Sequence, residues 1–363
     1  MNVPACRTWL RRGARGCLAA LVLLFGVSCS GPEVVVLDPL PTITPRRTPT
    51  GDSPVRVYFS QPAGQSFRGG PDQHLVEAVD SARFEVLVAA YDLDLWSVRD
   101  ALIRAHRRGV AVRVVTEGDH LMEEEIQDLV AAGIPVVADR GAGLMHQKFI
   151  VLDGSQVWTG TMNFTLNGAY RHDNLLVMIP SRELAENYRV EFEEMFQHRL
   201  FGDDILSRTP HPLVEVDGVR VENYFSPDDG VQGAIREVLD GAVVEIDVLA
   251  FSFTSNPLAE VLLDRADQGV KVRGVFDRSQ AYSQSGSEFE TLMEAGLDVC
   301  LDGGKDSMHH KVIIVDHRVV ILGSYNFTFS AENRNDENVL IIHDPRLAEL
   351  VRGEFQRLHD RCR

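Results

Sequence analysis

The chain has 363 residues, with 53 acidic side chains against 36 basic ones and a formal charge of −17. This balance argues against a broad basic face for nucleic acid, because affinity for such polymers comes largely from phosphate neutralisation by Lys and Arg. It leaves room for a small local cationic site, and the length suits two domains or one duplicated unit.

In chain order, residues 1–29 read as a targeting segment. Arg7, Arg11, Arg12 and Arg15 precede an apolar stretch from Cys17 to Val27 that is short for a membrane span. Gly26-Val27-Ser28-Cys29 resembles a bacterial lipoprotein cleavage site with Cys29 as the lipidated residue, although Gly26 stands where Leu is usual. Ordinary secretion and an uncleaved anchor are the alternatives. Loss of residues 1–28 removes four arginines and no acid, taking the charge to −21. Residues 30–54 carry Pro39, Pro41, Pro45, Pro49 and Pro54 and read as a tether. The expected location is extracytoplasmic, on the cell envelope through the lipid or secreted.

The body repeats itself, which decides for duplication. Val57-Tyr58-Phe59-Ser60 answers Asn223-Tyr224-Phe225-Ser226, helical stretch 73–82 answers 231–240, and strand 85–90 answers 245–250. Ser97 with Asp100 has the spacing of a capping box, and Asn256-Pro257 places a capping residue before a proline. Helices closing at Gly109 and Gly269 lead into strands 110–115 and 270–276. Helices ending at Gly133 and Gly296 then lead into short strands 134–137 and 297–301, and each half ends in a helix, about 182–197 and 346–359. The alternation predicts an α/β fold of two repeated α/β/α sandwich units with mixed sheets. Their expected bounds are 55–197 and 220–363, with 198–219 as the linker. Of the cysteines after residue 29, Cys300 reads as a small core residue and Cys362 lies at the exposed end, so no disulfide is expected.

The strongest signal is a motif present twice. Met145-His146-Gln147-Lys148-Phe149-Ile150-Val151-Leu152-Asp153 is matched 163 residues later by Met308-His309-His310-Lys311-Val312-Ile313-Ile314-Val315-Asp316. Gly160-Thr161-Met162-Asn163 and Gly323-Ser324-Tyr325-Asn326 each begin 14 residues after their histidine. Residues two apart on a strand share a face, so each His and Lys project together, while the apolar runs read as strands buried on both faces. His310, by the same alternation, should point away. A lone His or Lys beside a strand is usually structural; duplication at fixed spacing weakens that reading. Asp153 and Asp316 sit at the turns and are assigned a structural role bonding amides or neighbouring side chains.

His-x-Lys-x-x-x-x-Asp followed by Gly-(Ser/Thr)-x-Asn resembles the signature of the phospholipase D superfamily over nearly all of residues 55–359. Asn-Phe-Thr after each glycine tetrapeptide and Asn335-Asp336-Glu337-Asn338 resemble its compact nuclease and cardiolipin-hydrolase branch. The resemblance implies a pseudo-twofold packing with both motifs at the interface, in a monomer that is an internal pseudo-dimer. It implies His146 as nucleophile, through a covalent phosphohistidine, and His309 as general acid/base; the sequence itself leaves that symmetry unbroken. Lys148, Lys311, Asn163 and Asn326 would bind the phosphoryl oxygens, with no metal or cofactor required. A catalytic imidazole needs an acceptor on its second nitrogen, for which Glu337 and Asp173 are the candidates. Asp173 is reached by reading the first half as one residue shorter there. His106, His120, His172 and His343 show no metal-like spacing and read as ordinary residues.

Loops Tyr91–Trp96 and Phe251–Asn256 and segment Asp277–Glu290 are expected to shape the cleft. Gly69-Gly70-Pro71 and Gly141-Ala142-Gly143 lack the setting of a nucleotide loop and read as turns. Phospholipid hydrolysis is the leading function, an endonuclease of the same chemistry the alternative, and a non-catalytic binding module the third.

Overall fold

The computed structural model describes residues 53–60, 62, 67–204 and 207–362. The targeting segment with Cys29, the tether up to residue 52 and their expected roles lie outside the described residues.

The first repeat runs β1 (Arg56–Phe59), α1 (Pro71–Ser81), β2 (Glu85–Ala90), α2 (Trp96–Arg107), β3 (Ala111–Thr116), α3 (Glu124–Ala131) and β4 (Val136–Ala138). It continues through β5 (Lys148–Leu152), β6 (Gln156–Gly160), α4 (Leu166–Tyr170), β7 (Leu175–Ile179) and α5 (Arg182–Glu193). After β8 (Leu213–Val216), the second repeat runs β9 (Val219–Ser226), α6 (Val231–Asp240), β10 (Glu245–Ala250), α7 (Asn256–Asp267), β11 (Lys271–Phe276), α8 (Arg278–Ser283) and α9 (Phe289–Glu294). It closes with β12 (Asp298–Leu301), β13 (Lys311–Val315), β14 (Val319–Gly323), α10 (Phe329–Asn333), β15 (Glu337–His343) and α11 (Pro345–Arg361).

The sheets have orders β1-β7-β6-β5-β2-β3-β4 and β8-β9-β15-β14-β13-β10-β11-β12, so the second repeats the first with one added edge strand. In both, the motif strand (β5 or β13) lies antiparallel to its neighbours, while β2-β3-β4 and β10-β11-β12 are parallel. The sheets are mixed, as the alternation predicts. The apolar runs of β5 and β13 are buried throughout because each sheet is covered on both faces. One face of each sheet contributes to a shared core. There Phe149 and Val151 join Val312 and Ile314, with Tyr188 and Phe192 of α5 and Val351 and Phe355 of α11. The other faces pack beneath their own helices.

Four local expectations are corrected. Ser97 does not cap α2: Leu95 occupies the cap, Ser97 Oγ donates to Asp72 at 2.7 Å, and Asp100 pairs with Arg99. The cap of α7 is Ser255, one residue before Asn256, with its hydroxyl accepting the Leu258 N–H. Stretch 198–219 is more than a link, since β8 within it pairs with β9 through its own short turn. Cys300 and Cys362 form a disulfide, with Cα atoms 6.0 Å apart. The long spacing concealed it, because α11 must first fold back over β11 before the end of the chain reaches β12.

Candidate active site

The two motifs meet through reciprocal main-chain contacts. His146 N–H donates to Asp336 O (3.0 Å) and Asp336 N–H to Leu144 O (2.9 Å); His309 N–H donates to Asp173 O (2.9 Å) and Asp173 N–H to Ser307 O (2.9 Å). Each histidine is therefore fixed by the opposite half. Residue before it is held as well: Met145 N–H donates to Glu117 Oε2 (2.7 Å) and Met308 N–H to Asp277 Oδ2 (3.1 Å). Glycine is needed in this weave. A Cβ on Gly143 would lie 1.9 Å from Arg334 O, and one on Gly323 2.0 Å from Asn338 O. Thr165 and Thr328, in the Asn-Phe-Thr segments, cap α4 and α10 through their hydroxyls.

Both imidazoles are nearly closed off, at 7% exposure for His146 and 8% for His309, and Lys148 and Lys311 are buried beside them. His146 Nδ1 meets Glu337 Oε2 at 2.7 Å, across the interface. His309 Nδ1 meets Asn174 Oδ1 at 2.9 Å and Thr161 O at 3.1 Å. These acceptors place the proton on Nδ1 of each ring and leave Nε2 unprotonated. Lys311 Nζ lies 3.2 Å from His309 Nε2 and 3.0 Å from His309 O, while Lys148 Nζ donates to His146 O at 2.7 Å. An aromatic ring lies against each pair: Tyr91 against His146 and Lys148, Phe251 against His309 and Lys311. Asn163 Oδ1 and Asn326 Oδ1 are buried without a partner, the same atom in both halves.

The candidate Asp173 is a correction. Its carboxylate pairs with Arg357 and Arg361, and Asn174 takes the place at His309. Asn163 to Asp173 and Asn326 to Asp336 span the same number of residues, so Asp173 answers Asp336 and Asn174 answers Glu337. That register was the signal that could have found Asn174. Asp153 accepts from the main-chain N–H groups of Arg83, Phe84 and Glu85, and Asp316 from those of Val243, Val244 and Glu245. His310 turns away from the motif lysine and meets Glu354 at 3.2 Å, while Gln147 meets Glu191 at 3.2 Å. Tyr91 and Phe251 belong to loops expected to shape the cleft, but sequence alone gives no sign that their rings lie against the imidazoles.

Burial holds the His146 imidazole down to about 4, and Lys148 and Lys311 add to this against the opposing pull of Glu337. The contact with Glu337 is thus a hydrogen bond from neutral imidazole to carboxylate. His309 is held well below its usual range by burial, then by Lys311 and Lys148. Burial takes Lys148 to about 7 and, with repulsion from Lys148, takes Lys311 well below its usual range. These mutual effects place all four groups within one electrostatic site. Glu337 acts on both lysines, with Asp92 on Lys148 and Asp277 on Lys311, yet burial still depresses both ammonium groups, an arrangement that favours an incoming anion.

A separate donor set lies beyond Tyr91. Asp92, His120 and Glu123 offer atoms within 4.8 Å of one another and could hold a cation; among them His120 Nδ1 meets Glu123 Oε1 at 2.6 Å. The three come from segments that follow β2 and β3, which is why no spacing in the sequence points to them. Burial and repulsion from Glu123 raise Asp92 to about 7. Neither the recess of about 470 Å³ at Arg220, Glu222 and Tyr224 nor that of about 390 Å³ at Asp139 and Arg334 is lined by a motif His or Lys. Chemistry rather than cavity volume defines the site.

Residues 75–196 and 235–359 match the family described as "Cardiolipin synthase, PLD-like domain". The chain belongs to this phospholipase D-like family of phosphodiesterases. It is 38% identical over 158 residues to a phospholipase D of Rickettsia conorii, covering 44% of this chain and 78% of that protein. It is 35% identical over 124 residues to the mitochondrial cardiolipin hydrolase of Chlamydomonas reinhardtii, covering 34% of this chain and only 55% of the algal protein's length. The fold is similar to that of phosphatidylserine synthase from Haemophilus influenzae, with TM-score 0.62 and 16% identity over 84% of this chain and 86% of the other.

Proposed function

We propose that the protein hydrolyses the headgroup phosphodiester bond of phospholipids through a covalent phosphohistidine, with no metal in the reacting centre. The observation that carries this reading is the pair of Nδ1-capped imidazoles, each with a buried lysine beside it. His146 Nε2 attacks phosphorus while the bond to the departing alcohol breaks and His309 Nε2 gives that oxygen a proton. His309 then takes a proton from water as the water attacks phosphorus and releases His146. Lys148, Lys311, Asn163 and Asn326 bind the non-bridging oxygens as charge moves onto them. The anion brings the counter-charge that the two lysines lack, restoring their ammonium forms and raising His309 toward the protonated state its acid role needs.

Glu337 favours His146 as nucleophile, because the imidazole that becomes cationic on phosphorylation is the one bonded to a carboxylate. Lipid is favoured over nucleic acid by the chain's charge of −17 and by an exposed apolar side chain beside the motif, Leu144, two residues before His146 and 36% exposed. The same charge favours zwitterionic headgroups over cardiolipin. A lipid on Cys29, with the protein exported and held near a bilayer, belongs to this proposal. Turnover of phosphatidylcholine, cardiolipin and single-stranded DNA should be measured side by side at two salt concentrations. Efficient DNA cleavage with no headgroup release at either salt would establish the endonuclease instead.

A further inference from the structure

The second half-site is braced by the end of the chain, and the first is not. Asp173, buried at 1% exposure, receives Arg357 Nη2 on Oδ1 at 2.6 Å and Arg361 Nη2 on Oδ2. These arginines are four residues apart near the end of α11 and so share a helix face. Arg361 also donates to Asp302 Oδ1 at 2.6 Å, and its carbonyl lies so close to Gly303 that a Cβ there would come within 2.1 Å. Cys362, the next residue, is bonded to Cys300, two residues before Asp302. From Asp173 the contacts pass to His309, whose N–H the Asp173 carbonyl accepts and whose Nδ1 the adjacent Asn174 holds. In the other half Asp336 answers Asp173, but its carboxylate accepts the main-chain N–H of Gly202 at 2.7 Å.

We propose that Arg357 and Arg361 are positioning residues for His309, and that the Cys300–Cys362 disulfide fixes the helix end that carries them. Opening that bond then slows the proton transfers served by His309 while attack by His146 continues. The opening is an ordinary thiol–disulfide exchange: a dithiol gives two electrons and two protons, Cys300 and Cys362 become thiols, and the dithiol becomes its own disulfide. Once Arg361 is free to leave, the Asp173 carboxylate keeps only Arg357 of its two guanidinium partners, and the Asp173-Asn174 segment behind His309 loosens.

The inference rests on the reading of His309 as acid/base, so its test includes a measurement independent of turnover. The full folded protein is compared oxidised, reduced by a dithiol and reoxidised, with Arg361→Lys and Arg361→Met alongside. On phosphatidylcholine, reduction and Arg361→Met are expected to lower kcat by about 10²-fold, the scale of a small misplacement of a catalytic group. KM should hold, Arg361→Lys should recover part of the rate, and reoxidation should restore it. With bis(p-nitrophenyl) phosphate, whose leaving group needs no proton, the first burst of nitrophenolate should persist and the following turnover should slow. Imidazole nitrogen resonances should shift for His309 and not for His146. Unchanged His309 resonances and kcat after complete reduction would overturn the proposal, as would loss of both histidine environments together with folded structure. A selective His309 shift in a protein that turns over no phosphodiester would support the positioning and refute the functional reading.

Discussion

Replacing Glu337 by Gln keeps the shape of the acceptor at His146 and removes its charge. In the substrate-free site that carboxylate bonds a neutral imidazole, so its loss changes the His146 hydrogen bond little, although it lowers Lys148 and Lys311 further. When Nε2 bonds to phosphorus the ring becomes cationic with its Nδ1–H still directed at Glu337, 2.7 Å away. At an effective dielectric of about 20 that interaction is on the order of 6 kcal/mol. Allowing for screening and for the neutral hydrogen bond that Gln retains, the loss should be about 4 kcal/mol, or roughly 10³-fold in the rate of intermediate formation. Asn174→Ala removes only a neutral acceptor from His309 and should cost about 1 kcal/mol, several-fold in rate. The assay is rapid-quench measurement of phosphohistidine and released alcohol in a single turnover. A loss under about tenfold for Glu337→Gln, which is about 1.4 kcal/mol, would refute the claim that this carboxylate stabilises the charged ring. An intermediate on His309 would exchange the two histidine roles.

Acid should weaken the fold through the neutral histidines. With His146 at about 4 when folded and near 6.5 when unfolded, its contribution is complete above 6.5 and is lost as pH falls toward 4. That is about 3 kcal/mol at most, read as a flatter pH dependence of the urea midpoint in His146→Asn. Binding of an inert phosphodiester analogue at pH 8 should draw protons onto the depressed Lys148 and Lys311; calorimetry in buffers of different ionisation enthalpy should show this, and buffer-independent heats would contradict it. Gly143→Ala should destabilise by about 1–3 kcal/mol and lower activity, because its Cβ meets the Arg334 carbonyl in the loop leading to His146; an unchanged melting temperature would count against that packing. Saturating turnover should survive exhaustive chelation, with a metal-restorable loss of kcat as the contrary result.

The repeat made most of the fold legible. Alternation placed His and Lys on one face, the apolar runs placed β5 and β13 inside, and similar strand patterns in both halves gave two similar sheets. What stayed hidden depends on contacts between distant segments. The disulfide requires α11 to lie across the second sheet, Ser97 is drawn to Asp72 by helix packing rather than by its own helix end, and Asp92, His120 and Glu123 converge only at the ends of neighbouring strands. Asn174 is legible from register, yet the expectation of a carboxylate behind the ring points to its neighbour Asp173.

Duplication supplies two equivalent half-sites, whereas the proposed reaction requires its histidines to do different work. The difference arises outside the shared motif. Glu337 gives His146 a charged partner, while Asn174 gives His309 a neutral one that also accepts the Thr161 hydroxyl at 2.9 Å. A neutral partner leaves His309 easier to deprotonate, suited to giving and retaking a proton; a charged partner suits a ring that must carry positive charge for the lifetime of an intermediate. The motif residues thus assemble a symmetric cradle for phosphate, and the acceptors behind the rings divide the labour. Exchanging those acceptors, with Glu337→Asn and Asn174→Glu in one chain, should move the phosphorylated ring toward His309 if this argument holds, and should leave it on His146 if the roles are fixed elsewhere.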